Sequence, residues 1–268
     1  MEWAAGSSGP ASDMSRIVDD HRAYLSDPVR VDAFARAIAA TVRPGDVVVD
    51  LGSGTGILGL FACRAGARRV YALETNGMIE VGRALARANG FADRFIFIQR
   101  HSTDAVLPEP ADALVADMAG GMGFEAGIFG TYLDARRFMK PHGRMIPQSI
   151  TMAAAPVEEA GLSHQVHFWD APVANFDMTP VLTWAANTGY PRLLPPESLL
   201  ADDSVQATYE PTVEHSMLRL KGDVTVVRAG VLHGIGGWFD AELAPGVRLT
   251  NAPRATVRLN RRNVFFPL

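Results

Sequence analysis

Apolar positions set the first division of the chain. From Asp20 onward Tyr24, Leu25, Val29, Phe34, Ile38 and Val42 recur at the spacing of one helix face, which predicts one or two amphipathic helices ending at Pro44-Gly45. A nearly all-apolar strand follows at 47–51, then a glycine turn and a helix running to Ala65-Gly66. Strands are predicted at 70–73, 95–98 and 113–116, with a helix at 79–89 between the first two. A further helix is expected through 132–138, closed by a turn at Pro141-His142-Gly143. Strands alternating with helices are the sequence form of a parallel sheet covered by helices.

Beyond Met145 short runs rich in Val, Thr and Leu, at 150–155, 216–220, 224–227 and 255–259, predict an antiparallel β region. Residues 166–196 interrupt it with Phe168, Trp169, Phe176, Trp184 and Tyr190 among prolines and polar residues, so this segment is expected to pack against a partner surface. Residues 1–19 carry Trp3 as their only aromatic and read as a mobile tail.

Composition narrows the classes. The chain has 268 residues, 48% of them hydrophobic and 20% charged, which fits one large or two small globular domains. Lys+Arg 25 against Asp+Glu 29 gives a net charge of -4, so nucleic acid and anionic membrane are not expected partners. The single cysteine, Cys63, excludes an intrachain disulfide and is read as a core residue. With no apolar stretch of membrane-spanning length and no basic-then-apolar leader, a cytoplasmic location is expected.

The strongest local signal is Asp50-Leu51-Gly52-Ser53-Gly54-Thr55-Gly56, where a buried strand enters a turn and then a helix. Its third glycine is Gly56 and position 57 is Ile57, which departs from the dinucleotide spacing. Asp50 would repel a pyrophosphate, whereas it can accept from an ammonium or an ordered water. Glu74, closing the second strand, is placed to accept from both ribose hydroxyls. These features favour S-adenosyl-L-methionine (SAM), with S-adenosyl-L-homocysteine as product, over a nicotinamide.

Here the chain resembles the protein arginine methyltransferases. The resemblance rests on His21-x-x-Tyr24-Leu25-x-Asp27-x-Val29-Arg30, on the glycine loop through Gly52, Ser53, Gly54 and Gly56, and on Val70-Tyr71-Ala72-Leu73-Glu74. It implies an α/β Rossmann-like class I methyltransferase domain over residues 20–147 and an antiparallel β-barrel-like domain over 148–268, with a dimerisation arm at about 164–200. By the same resemblance Arg30 pairs with the cofactor carboxylate, Ser102 and Thr103 hold the adenine, and Phe168-Trp169-Asp170 with 175–178 forms the arm of a head-to-tail homodimer. Gly237-Trp238-Phe239-Asp240 and Val264-Phe265-Phe266-Pro267-Leu268 match later barrel strands, and Thr103 stands where a glutamate is usual.

On the substrate side the pattern changes. The family's paired glutamates become Asp117 and Glu125, joined by a shorter loop, Met118-Ala119-Gly120-Gly121-Met122-Gly123-Phe124. The family's Thr-His-Trp segment is replaced by Arg258-Leu259-Asn260-Arg261-Arg262, read as a solvated strand face at the acceptor pocket, and the usual N-terminal tyrosines are absent before His21. These departures favour a small-molecule acceptor, an indole, phenol or amine of specialised metabolism. A protein arginine acceptor and a noncatalytic SAM-binding scaffold are the alternatives. Glu125 is the expected orienting base, Asp117 its helper and His21 a further catalytic candidate. No metal is expected.

Overall fold

The computed structural model describes residues 10–213 and 218–268. The chain divides into two compact units. One comprises residues up to 117 with 131–147 and 243–247; the other comprises 118–130, 148–242 and 248–268.

The first unit opens with helices α1 (Pro10–Leu25) and α2 (Pro28–Thr41). Of the tail expected over 1–19, residues 1–9 lie outside the described residues, and the part from Pro10 is corrected to helix. Proline suits a first helical turn, and low hydrophobicity does not prevent a helix whose surface carries i,i+3 ion pairs such as Arg22–Asp19, 2.7 Å. The chain breaks at Asp27, whose carboxylate caps α2 by accepting from the backbone of Val29 (3.0 Å) and Arg30 (3.3 Å). The buried face of α2 carries Arg30, Ala33, Phe34, Ala37, Ile38 and Thr41.

Five parallel strands follow: β1 (Val47–Leu51), β2 (Arg69–Glu74), β3 (Phe95–Gln99), β4 (Ala111–Ala116) and β5 (Met139–Ile146). Helices α3 (Ile57–Arg64), α4 (Met78–Ala88) and α5 (Ile128–Ala135) connect them. The sheet order is β3-β2-β1-β4-β5. Central β1 pairs with β2 on one side and β4 on the other and is buried along its whole length, which is why its sequence is apolar without alternation. Helix α3 lies so close to the sheet that a Cβ on Gly59 would stand 2.8 Å from the Phe95 ring and 2.9 Å from Val70. The turn expected at Pro141-His142-Gly143 lies inside β5. It is a bulge, where β5 advances from Met139 to Arg144 while β4 advances from Ala111 to Ala113, and His142 takes a positive φ of 63°.

The second unit is built on antiparallel strands β6 (Ser149–Val157), β7 (Tyr190–Arg192), β8 (Val205–Tyr209), β9 (Gly234–Ala244), β10 (Val247–Thr250) and β11 (Asn263–Pro267). They run in the order β7-β11-β9-β6-β8, with β10 on β9. Two predicted strands do not form. Residues 224–227 contribute one isolated bridge, Val226 with Ala201, and 255–259 remain loop, in which Arg258 donates to the Pro253 carbonyl at 3.1 Å. Of the run at 216–220, residues 216 and 217 lie outside the described residues and the rest is irregular. The aromatic segment forms helices α6 (Ala160–His167) and α7 (Leu182–Ala186), and leaves Phe168, Phe176 and Trp184 more than half exposed.

Two buried asparagines, each 1% exposed, tie this unit together. Asn251 accepts from the Phe239 N–H at 2.9 Å and donates to the carbonyls of Gly121 (2.7 Å) and Arg262 (3.1 Å). Asn263 accepts from the Leu194 N–H at 3.0 Å and donates to the Asn251 carbonyl at 2.7 Å. A buried amide that loses its partner costs its full desolvation energy. Asn263→Ala should therefore lower unfolding stability by roughly 1–3 kcal/mol in a urea titration; a change within the scatter of surface substitutions would mean that the network carries no stability.

Candidate functional site

The cofactor end of the first unit is built where β1 and β2 finish side by side. Gly52, Gly54 and Gly56 all adopt left-handed backbone, with φ of 67°, 51° and 74°. The Ser53 N–H bonds the Leu73 carbonyl at 2.9 Å, so the turn is stitched to β2. Glu74 completes the stitch: Oε2 accepts from the Gly54 N–H at 2.9 Å, and Oε1 accepts from the N–H groups of Thr75 (2.8 Å) and Asn76 (3.1 Å).

Against the same turn lies His21. A Cβ on Gly54 would stand 2.2 Å from the His21 ring carbon, so only glycine permits the imidazole to rest on this backbone. Burial lowers the His21 pKa, while the Glu74 carboxylate opposes that shift. Tyr24 meets His21 edge to face at 6.1 Å, and the Arg30 guanidinium lies 5.7 Å from the Tyr24 ring and 5.5 Å from that of Phe34.

Asp50 is fully buried at the end of β1. Its Oδ2 accepts from the Gly59 N–H at 2.8 Å, whereas Oδ1 has no hydrogen-bond partner among the described residues. Burial, reinforced by Glu74, pushes its pKa up to about 7, against the pull of Gly59 and Arg30. The buried Ser53 Oγ is likewise unpartnered among the described residues. Two orphaned buried oxygens beside a glycine turn are what a cationic amino acid linked to a nucleoside would satisfy, so the residues present fit SAM. Asp50 and Ser53 would meet its polar groups, Glu74 its ribose and Arg30 its carboxylate.

The other cofactor candidates are placed as follows. Ser102 and Thr103 lie in a short turn after β3, Ser102–Asp104. Ser102 is buried, and its carbonyl accepts from Arg137 at 2.5 Å. Thr103 is exposed and its hydroxyl bonds His101 Nδ1 at 2.8 Å. Cys63 is buried, which pushes its thiol up to about 11. Among the described residues no three or more His, Cys, Asp and Glu side chains gather as a metal site would require, and no helix is long and apolar enough to cross a membrane.

The two acceptor-side carboxylates fall in different units. Asp117, just after β4 in the first, accepts from Arg30 Nε at 2.5 Å, with both side chains under a tenth exposed. Nothing in the spacing of residues 30 and 117 signals this pair; it appears only once α2 and β4 are folded together. Glu125, in the second unit, gathers its own loop: Oε1 accepts from the N–H groups of Gly121 (2.9 Å) and Met122 (2.8 Å), and Oε2 from those of Gly123 and Phe124 (both 3.1 Å). The glycines make room for this, since a Cβ on Gly120 would stand 2.4 Å from Glu125 Oε2. Asn251, which holds the Gly121 carbonyl, is a loop anchor that no motif marks.

A parallel sheet with an orphaned carboxylate and a glycine turn at the end of its first strand is the class I methyltransferase arrangement. Residues 34–147 match the family model described as ribosomal protein L11 methyltransferase (PrmA). The chain is 27% identical over 239 residues to a probable protein arginine N-methyltransferase 6 of Arabidopsis thaliana, covering 84% of this chain and 54% of that protein, so it spans about half the relative's length. To protein arginine N-methyltransferase 1 of Chlamydomonas reinhardtii it is 26% identical, covering 92% of this chain and 74% of the relative. Among solved structures, Arabidopsis thaliana protein arginine methyltransferase 10 superposes with a TM-score of 0.76 at 24% identity, covering 92% of this chain and 82% of the other. The Trypanosoma brucei PRMT1 enzyme-prozyme heterotetrameric complex with AdoHcy superposes with a TM-score of 0.78 at 21% identity, covering 92% and 81%.

The chain has the fold of the arginine methyltransferase structures it superposes on, a parallel Rossmann-like sheet and an antiparallel sheet, and the residues at its cofactor end fit SAM. The expectation of a small-molecule acceptor in specialised metabolism is corrected by these relatives. They are arginine methyltransferases, and their likeness runs through the second unit as well as the cofactor unit.

The raised Asp50 pKa gives the fold a pH dependence of definite sign. The folded protein holds a proton that the unfolded chain releases near 3.8, so stability falls as pH rises from about 4 to about 7 and is flat above. The amide introduced by Asp50→Asn would keep an acceptor for Gly59 without the charge. In urea titrations at pH 5 and 8, Asp50→Asn should remove most of that fall, which amounts to about 1.4 kcal/mol for each pH step in which the folded chain keeps one more proton than the unfolded chain. The same substitution should weaken SAM binding. Identical pH slopes for both proteins would show that Asp50 stays ionised throughout.

Proposed function

We propose that the protein transfers a methyl group from SAM to an arginine guanidinium of a protein substrate. The observation that carries this reading is the Glu125 loop, where one carboxylate is fixed by four backbone N–H groups within residues 121–124. Its relatives' names supply the acceptor class: protein arginine N-methyltransferase over 92% of the chain in Chlamydomonas reinhardtii.

A carboxylate held this way has little freedom to reorient, so the work of positioning is done before the acceptor arrives. A guanidinium offers a planar fork of donors to such a group. Docked on Glu125, it would keep its remaining nitrogen free to receive the methyl group. Bound SAM supplies an electrophilic methyl group on a sulfonium. Glu125 would offset the charge that develops on the acceptor nitrogen and take up its proton directly or through water. Asp117 acts through Arg30, fixing the guanidinium that would hold the cofactor carboxylate. His21, resting on Gly54, closes over the cofactor turn and is assigned to positioning rather than to proton transfer. The reducing interior of a cell suits the lone cysteine, Cys63.

Glu125→Gln exchanges one acceptor oxygen for a donor and must disturb half of the loop's hydrogen bonds. With labelled SAM and an arginine peptide, turnover should fall by about 100-fold or more while SAM affinity stays within about threefold. Turnover near that of the unmodified protein would remove Glu125 from the mechanism.

A further inference from the structure

We propose that Asp50 carries a proton before the cofactor arrives and gives it up to solvent as SAM or its product binds, so that cofactor binding is coupled to proton release. This goes beyond the acceptor reading and does not depend on it, since it concerns the cofactor step alone.

The first unit provides for its buried carboxylates unequally. Glu74 accepts from the N–H groups of Gly54 (2.9 Å), Thr75 (2.8 Å) and Asn76 (3.1 Å). Asp46 accepts from the Arg43 N–H and from the Arg144 guanidinium, both at 2.7 Å. Asp50 is the most deeply buried of the three, at 0% exposed against 8% for each of the others. It has the Gly59 N–H on Oδ2 at 2.8 Å, and Oδ1 has no hydrogen-bond partner among the described residues. A buried oxyanion short of donors is costly, and a neutral carboxyl group is far less so.

The groups facing Asp50 do not repair this. Its register partners on the flanking strands, Ala72 on β2 and Val115 on β4, are apolar. From β2 the Glu74 carboxylate faces it, and from α2 the Arg30 guanidinium, whose Nε is committed to Asp117. From α3 comes the Cys63 thiol, which burial pushes up to about 11 and so keeps neutral. His21 of α1 rests on the adjoining turn at Gly54, and burial lowers its pKa toward the neutral form as well. Burial, with Glu74 adding to it, pushes Asp50 up to about 7.

An amino acid linked to a nucleoside brings an ammonium group. Delivered to Oδ1, directly or through a water, it supplies the donor and the positive charge that the surrounding side chains withhold, and the carboxylate becomes the favoured form. The proton passes to solvent and the ammonium takes its place as the partner of that oxygen. A ligand that requires the ionised form binds more weakly as pH falls through the range where Asp50 titrates, and evenly above it.

Calorimetric titration of S-adenosyl-L-homocysteine into the protein, in buffers of different ionisation enthalpy, counts the protons released. Release should be about 0.9 proton per site at pH 6, about 0.5 at pH 7 and about 0.1 at pH 8. Affinity should rise about tenfold from pH 6 to pH 8. Asp50→Asn should bind without release and with an affinity flat over the same range, whereas His21→Gln should keep the release. If Asp50→Asn binds too weakly to titrate, difference infrared spectra at pH 6 decide. Adding S-adenosyl-L-homocysteine to the unmodified protein should remove the C=O band of a protonated carboxylic acid, a band that Asp50→Asn lacks. Proton-neutral binding at pH 6, release of equal size in Asp50→Asn, or a carboxylic acid band that persists after binding overturns the proposal.

Discussion

The buried ion pair between Arg30 and Asp117 is the constraint on which the first unit's chemistry depends. It joins the first turn of a helix to the residue that follows the fourth strand, across 87 positions of sequence, at 2.5 Å. Removing either partner alone would strand a buried charge, which typically costs about 3–5 kcal/mol. The pair also decides what each member is free to do. Arg30 commits its Nε donor to Asp117, so its Nη edge is the part that can address a cofactor carboxylate. Asp117, shorter by a methylene than the glutamate of the family pattern, is held by Arg30. Under the function proposed above, Glu125 is the carboxylate that addresses the acceptor.

Around that pair the site is assembled by backbone donors meeting side-chain acceptors. Glu74 ties the glycine turn to the end of β2, and Glu125 ties residues 121–124 into one loop. Both use the same device, a carboxylate in place of regular secondary structure as the partner of successive N–H groups. In each case glycine supplies the access, by positive φ at Gly54 and by the missing Cβ at Gly120. Asp50 and Ser53 differ in holding oxygens that the described residues leave unpaired, so a ligand can meet them without displacing a bond of the turn.

Much of the first unit is legible in the sequence because β1, β2 and β4 are short, apolar and buried nearly throughout, and buried parallel strands leave that mark. Residues 10–19 escape such a reading because a helix of low hydrophobicity shows its character in propensity and ion pairs, which hydrophobicity does not register. The bulge in β5 hides behind Pro141-His142-Gly143, residues that signal a turn equally well. Residues 255–259 have strand composition but no strand; Arg258 within them bonds the carbonyls of Pro253 and Leu194. The glycine turn, Asp50 and Glu74 stand out from one contiguous pattern. The Arg30–Asp117 pair and the Asn251–Asn263 relay do not, being made of residues far apart in the chain. The acceptor class is obscured for a related reason: side-chain changes in the hairpin suggest a new pocket, although the surrounding backbone architecture persists.

Calorimetric titration of SAM into the unmodified protein, Arg30→Ala, Asp117→Ala and the double variant measures how far cofactor binding depends on this pair. Asp117→Ala alone should weaken SAM binding, and the double variant should be no weaker than Arg30→Ala, giving a coupling energy above about 1 kcal/mol. Effects that add within about 0.5 kcal/mol, with Asp117→Ala binding SAM normally, would show that the pair does not govern the site.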